Sequence, residues 1–267
     1  MSNDIIKVPE QIEDLESKSL LNGEFDSNDC YLEIHPGAGG TESCDWSDML
    51  LRMYQRYAEK NDYKVEVIDK QAGDEAGIKS VTLKISGDKA YGYLKNENGV
   101  HRLVRISPFD SNKRRHTSFA SVTVTPEVNK DINIDIKDSD LKIDVYHSSG
   151  AGGQSVNTAN SAVRITHLPS KIVVTCQNER SQLQNKEQAM KILKNKLYLL
   201  ELAKQEEEMG NLKDTSSAIN FGSQIRSYVL EPYKMVKDNR SGYESTEPDK
   251  ILDGDLNNLI KSLLKLH

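Results

Sequence analysis

The chain has 267 residues, of which 36% are hydrophobic and 28% charged, and a formal net charge of -6. This fits one to three folded domains, and the negative balance excludes adhesion to nucleic acid or anionic lipid by overall charge alone. No stretch approaches the roughly 18 apolar residues of a membrane span, the opening "MSNDIIKVPEQIEDLESK" has no apolar core of an export signal, and Cys30, Cys44 and Cys176 stand in no CxxC spacing, so a reducing cytoplasmic setting without disulfides, metal or cofactor is expected.

In chain order, "PEQIEDLESKSLLNG" predicts a short helix ended by glycine, followed by a polar "EFDSND" link. The strand "CYLEIH" leads through "PGAGGTE" into a helix in which Trp46, Met49, Leu50, Met53, Tyr54 and Tyr57 recur at spacings of three and four, with Thr41 or Ser43 as its cap. Period-two alternation predicts strands in "SVTLKIS", "SFASVTVTPEV" and "INIDI". A second unit starts near Leu141, with strand "LKIDVYH", a glycine loop, strand "SAVRITHLP", a turn at Pro169 and Ser170, strand "KIVVTCQNE" and a helix from about Asn185. Ala189, Leu193, Leu197 and Leu200 form that helix's apolar stripe. A polar "KQEEEMGNLKDTSS", the segment "SQIRSYVLEPYKMVKD" and a closing helix "LDGDLNNLIKSLLKL" complete the chain. The class is α+β with more than one domain.

Two glycine loops invite a phosphate-cradle reading, "GAGGTE" at 37–42 and "GAGGQS" at 150–155. Neither has the Gly-Lys-Ser/Thr or GxGxxG pattern that such a cradle requires. Gly37, Gly39 and Gly40 read as a tight strand-to-helix turn. The loop bearing Gln154 joins two strands and carries no large apolar side chain, so it protrudes. Composition and periodicity leave open whether it is a plain surface turn or a working loop.

"SSGAGGQSVN", continued by "SAVRITHLPSKIVVTCQNERSQLQNKEQAM", resembles the GGQ domain of bacterial and organellar class I peptide chain release factors, with Gly152, Gly153 and Gln154 as the motif. "GVHRLVRISPFDSNKRRHTSFASV" is similar to the stop-codon reader of the branch of that family that recognises UAA and UGA, with Ser107, Pro108 and Phe109 as its Ser-Pro-Phe tripeptide. The resemblance runs from about Cys30 to the end of the chain.

It implies a codon-recognition superdomain built from residues 28–138 and 211–267, a GGQ domain at 139–210 of strands packed on a long helix, and a short helical N-terminal remnant at 1–27. Hinges are expected near "KDSD" and "GNLKDTSS", because the two motifs act on different ribosomal subunits. The implied activity is translation termination: reading UAA and UGA in the ribosomal A site and promoting hydrolysis of the peptidyl-tRNA ester.

Glutamine has no useful pKa and cannot serve as general base. The resemblance instead implies that the Gln154 N–H donates to the developing oxyanion or leaving hydroxyl, while Gly152 and Gly153 let the main chain enter a crowded cleft. In the reader, Ser107 would admit A or G at the second position, Phe109 give an aromatic wall, Pro108 stiffen the loop, His116 stack on bases, Thr117 bond the third base, and Asp110 and Arg114 brace the loop. Arg102, Arg105, Lys113, Arg114 and Arg115 form a basic cluster that could meet phosphate. Asn112 and Lys113 depart from the family, which more often has glycine there.

The implied partners are the ribosome with its 16S and 23S RNA, the mRNA stop codon, P-site peptidyl-tRNA, a glutamine methyltransferase converting Gln154 to N5-methylglutamine, and a recycling GTPase. His167, Arg180, Lys186, Lys191 and Lys194 could contact ribosomal RNA, but a strand histidine and helix lysines are more often merely exposed, and they stand outside the site. The rival reading is a codon-independent ribosome-rescue hydrolase, which shares the GGQ motif. Against it stand the Ser-Pro-Phe reader and the only mildly basic end "LIKSLLKLH".

Overall fold

The computed structural model describes residues 3–128, 133–147, 160–208 and 223–266, with the side chains of 3–7, 206 and 208 left aside. The elements in order are α1 (Asn3–Ser19), β1 (Cys30–Pro36), α2 (Thr41–Lys60), β2 (Lys64–Ala72), β3 (Ile78–Ser86), α3 (Ala90–Leu94), β4 (Gly99–Ile106) and β5 (Arg115–Pro126). They continue as β6 (Leu141–Tyr146), β7 (Ala162–His167), β8 (Ile172–Cys176), α4 (Gln182–Glu208), β9 (Arg226–Val229), β10 (Met235–Asp238), β11 (Glu244–Ser245), α5 (Pro248–Leu252) and α6 (Asn257–Leu264). Helices and largely antiparallel sheets occupy separate stretches of chain, which is the α+β class.

The chain divides into two compact units, one of Met1–Glu66, Gly73–Glu127 and Ile219–His267, the other of Val67–Ala72 and Val128–Ala218. The large sheet has eight strands in the order β11-β10-β9-β4-β5-β1-β3-β2. Near its centre β1 pairs antiparallel with both β3 and β5, as in Leu32↔Leu83 and Leu32↔Val124. The α2 helix packs on β1, β3 and β5. Its periodic residues Trp46, Leu50, Met53, Tyr54 and Tyr57 meet Leu32, Ile34, Val81, Leu83 and Ile85, all buried. Each such side chain contributes roughly 1.5–3 kcal/mol through burial. Strand β9 joins beside β4 in parallel, His101 opposite Arg226, so segments distant in sequence complete one sheet.

A charged cluster crosses this junction. Arg226 is fully buried and donates through Nη1 and Nη2 to the two Glu97 oxygens at 2.7 and 2.6 Å, and through Nε to Asp238 at 3.1 Å. Its other neighbour is the Tyr228 hydroxyl, 3.1 Å from Nη1. Burial pushes the Glu97 carboxyl up, but the Arg226 guanidinium outweighs it and keeps the acid ionised. His101 Nε2 lies 2.9 Å from the Glu97 carbonyl, which can only accept, so that nitrogen carries the proton. Nδ1 therefore accepts from the Tyr228 hydroxyl at 2.9 Å. Burial and the adjacent Arg226 hold the His101 ring neutral, down to about 4.

In the second unit β6, β7 and β8 form an antiparallel sheet, with Ile143↔Ile165↔Val174 in one row. Helix α4 packs on β7 and β8 through Ala189, Ile192, Leu193 and Leu197.

Several expectations need correction. The N-cap of α2 is Gly40 at φ 60, with no side-chain cap; the Ser43 hydroxyl donates to the carbonyls of Gly37 and Gly40 instead, and Thr41 bonds Glu75. The described part of "INIDI", residues 133–136, is not a strand, although its exposure alternates as a strand's would. Helix α1 begins at Asn3 and runs through Pro9. Leu200 is 37% exposed, because strands of five or six residues are far shorter than the 27-residue α4 and leave its later turns beyond the sheet. The closing helix is broken into α5 and α6 at Gly254, whose φ of +96 favours glycine. A Cβ there would stand 2.5 Å from the Tyr57 backbone nitrogen.

Candidate nucleic-acid interface

Strands β4 and β5 form a hairpin in which Arg105 stands opposite His116 and Ile106 opposite Arg115. Opposed residues share a face and successive ones alternate. Arg105 and His116 therefore lie on the face toward α2, while Ile106, Arg115, Val104 and Thr117 lie on the other. His116 and Thr117, adjacent in sequence, point to opposite sides of the hairpin.

The connecting loop is closed by the Ser107 N–H donating to the Arg114 carbonyl at 3.1 Å and the Lys113 N–H to the Asp110 carbonyl at 3.0 Å. Asp110 is the organiser of this loop. Its Oδ1 accepts from the Asn112 N–H at 2.9 Å, and its Oδ2 from Arg114 Nε and His116 Nε2, each at 2.8 Å. The bonds from His116, Arg114 and the Asn112 backbone hold its carboxyl well below the usual carboxylate range. An ionised Asp110 can only accept, so the His116 proton sits on Nε2 and the ring is fixed in plane.

Within the tripeptide the three side chains are placed differently. Ser107 is buried, its hydroxyl donating to Glu42 and accepting from the Phe109 N–H at 3.1 Å. Pro108 is exposed and Phe109 is 47% exposed, so the aromatic ring is available to a ligand. Glu42, in the first turn of α2, was not singled out from the sequence. It meets Ser107 and also Arg105 at 3.4 Å, and Arg105 in turn pairs with Asp45 at 2.5 Å. Only a register in which α2 starts directly against the hairpin makes this visible.

The basic cluster is therefore not uniformly free. Arg105 is neutralised by Asp45 and Glu42, and Arg114 by Asp110. Lys113 and Arg115 are exposed and have no side-chain partner among the described residues. Arg226 and Tyr228, in the segment "SQIRSYVLEPYKMVKD", are fully buried.

Gly152, Gly153 and Gln154 lie outside the described residues. The strands on either side of that loop end at the pair Tyr146↔Ala162. Next to it Asn185, fully buried on α4, donates to the Ser161 carbonyl at 2.7 Å and the Glu179 carbonyl at 2.9 Å and accepts from the Glu179 N–H at 3.0 Å. Asn185 thus ties Ser161, immediately before β7, to the strand-to-helix turn at Glu179. It was read from sequence only as the approximate helix start. His167 bonds Ser170 at 2.6 Å across the β7–β8 turn.

Two domain families match this chain, the PCRF domain over residues 1–122 and the RF-1 domain over residues 130–240. Peptide chain release factor 2 of Listeria monocytogenes serotype 4b (strain F2365) is 60% identical over 254 residues, which cover 95% of this chain and 69% of that protein. Peptide chain release factor 2 of Thermosipho africanus (strain TCF52B) is 57% identical over 258 residues, 97% of this chain and 70% of that protein. The solved structure of release factor 2 of Thermus thermophilus superposes with a TM-score of 0.86 at 50% identity, covering 98% of this chain and 75% of that one. A Ser-Pro-Phe hairpin braced by Asp110, the Gly-Gly-Gln sequence at 152–154 and relatives this similar along nearly the whole sequence lead to one assignment: the chain belongs to the peptide chain release factor 2 family of translation termination factors.

Proposed function

We propose that this chain ends translation at UAA and UGA, with the hairpin of β4 and β5 reading the codon and the loop around Gln154 promoting peptidyl-tRNA hydrolysis. The observation that carries the reading is the Asp110 brace, which fixes His116 and presents Phe109 beside an inward-facing Ser107. Single-stranded bases are recognised by stacking and by their hydrogen-bonding edges. His116 and Phe109 are the stacking groups of the loop, and base stacking on an aromatic side chain contributes about 1–3 kcal/mol. Thr117, on the opposite face from His116, meets a base separated from those that His116 stacks on. Ser107, tied to Glu42, admits a purine at the second position, and Arg114 acts with Asp110 in the brace.

In the hydrolytic step water attacks the ester carbonyl, and negative charge grows on its oxygen and then on the leaving ribose hydroxyl. The Gln154 backbone N–H donates to that charge. Removing one such donor in other enzymes costs about 2.7–4 kcal/mol of barrier. Gly152 and Gly153, lacking Cβ atoms, permit the approach. The protein works on the ribosome in the cytoplasm, its Gln154 is the substrate of a glutamine methyltransferase, and a recycling GTPase removes it afterwards.

The test is release of formyl-methionine from ribosomes programmed with UGA, UAA, UAG or a sense codon. Activity on UGA and UAA alone is expected. Equal activity on all four, or on ribosomes with an empty A site, would instead establish the rescue reading.

A further inference from the structure

Lys113 has a left-handed backbone, φ 50, at the tip of the codon-reading hairpin. A side chain there is disfavoured relative to glycine, because the Cβ crowds the backbone. The conformation is imposed by the turn, in which the Lys113 N–H closes onto the Asp110 carbonyl at 3.0 Å. The lysine itself contributes nothing to that closure that glycine would not. Its ammonium group is exposed and makes no ion pair or hydrogen bond among the described residues. The nearest acid in sequence, Asp110, is engaged by Arg114, His116 and the Asn112 N–H. Two of the other cations at this end of the hairpin are neutralised internally, Arg105 by Asp45 and Arg114 by Asp110. A strained position thus carries a free positive charge in the same loop as the exposed Phe109, on a chain whose net charge is -6.

From this we propose that Lys113 binds an RNA phosphate when the hairpin docks, adding to the codon reader an electrostatic contact that is independent of codon identity. The inference rests on the codon-reading assignment of the hairpin. Phosphate contacts position a protein on nucleic acid without carrying sequence information, and each makes binding more salt-dependent. The phosphate belongs either to the mRNA or to the ribosomal RNA of the decoding site.

The experiment measures the factor concentration for half-maximal release on UGA-programmed ribosomes over a range of salt, for the wild-type chain, K113G and K113Q. K113Q removes the charge and keeps the strained side chain; K113G removes both. Both variants should need about 3–10-fold more factor at low salt, converge with wild type at high salt, and reduce the salt slope by about 0.7–0.9. K113G should at the same time melt about 1–3 °C higher, since glycine relieves the left-handed strain. Weaker binding joined to a more stable fold is a combination that a purely structural role does not produce.

Replacing the phosphates near the stop codon by uncharged methylphosphonates separates the two sources. If the advantage of Lys113 vanishes on that mRNA, the mRNA supplies the phosphate; if it persists, ribosomal RNA does. Unchanged half-saturation and salt slope in both variants overturns the proposal, as does a loss in K113G that K113Q does not share, which would assign the effect to the backbone. A wild-type chain inactive on UGA would overturn the codon-reading assignment instead.

Discussion

Asp110 concentrates the hydrogen bonding of the β4–β5 loop in one carboxylate. It holds Arg114, His116 and the Asn112 N–H, and all three donors favour its ionised form. Replacing it with alanine frees the His116 ring and the Arg114 side chain together. The factor concentration for half-maximal release on UGA should rise on the order of tenfold, the size of one lost charge-assisted bond. Because the folded carboxyl lies below its unfolded value, its bracing is complete above pH about 4 and is lost only as pH falls through the lower folded value. Asp110 itself therefore stays ionised throughout pH 6 to 8, and a release assay should find Asp110→Ala impaired across that range. Sequence could name Asp110, Arg114 and His116 as neighbours in one loop. It could not show that one oxygen serves both partners, nor that Ser107 turns inward to Glu42, 65 positions away.

At the scale of elements, what was legible followed from periodicity. Helix α2 and strands β1, β3, β5, β6, β7 and β8 announce themselves because one face of each is apolar at the right spacing. Strand β2, the short α3 and β4 are not legible from periodicity, because the buried positions of β2 and β4 do not alternate with period two and α3 has only five residues. The end of α4 is a similar case: its stripe is continuous in sequence but ends in space where the sheet ends. Asn185 shows the cost of reading one element at a time. Asn185→Leu would leave the Ser161 carbonyl and the Glu179 peptide without partners in a buried site. The second unit should lose about 2–3 kcal/mol, and hydrogen exchange should show β7 opening faster than in wild type.

For the whole molecule the parallel pairing of β4 with β9 is decisive, because it brings His101 and Glu97 from the middle of the chain onto Arg226, Tyr228 and Asp238 from its end. His101, at about 4 when folded and near 6.5 in an unfolded chain, makes this junction acid-sensitive. Its neutral ring contributes fully above pH about 6.5, and up to about 3 kcal/mol is lost as pH falls toward 4. The melting temperature of the first unit should fall across that window, and His101→Gln should flatten the dependence whatever its own stability. The sequence by itself determined the class, the two motifs and the family resemblance, because those reside in local periodicity and in contiguous residues. Only the tertiary structure decided which charges are spent inside the protein and which remain for a ligand. Arg105 and Arg226 meet carboxylates far away in the chain and Arg114 one in its own loop, whereas Lys113 and Arg115 meet none among the described residues, since neutralisation depends on distances of a few ångströms that chain order does not fix.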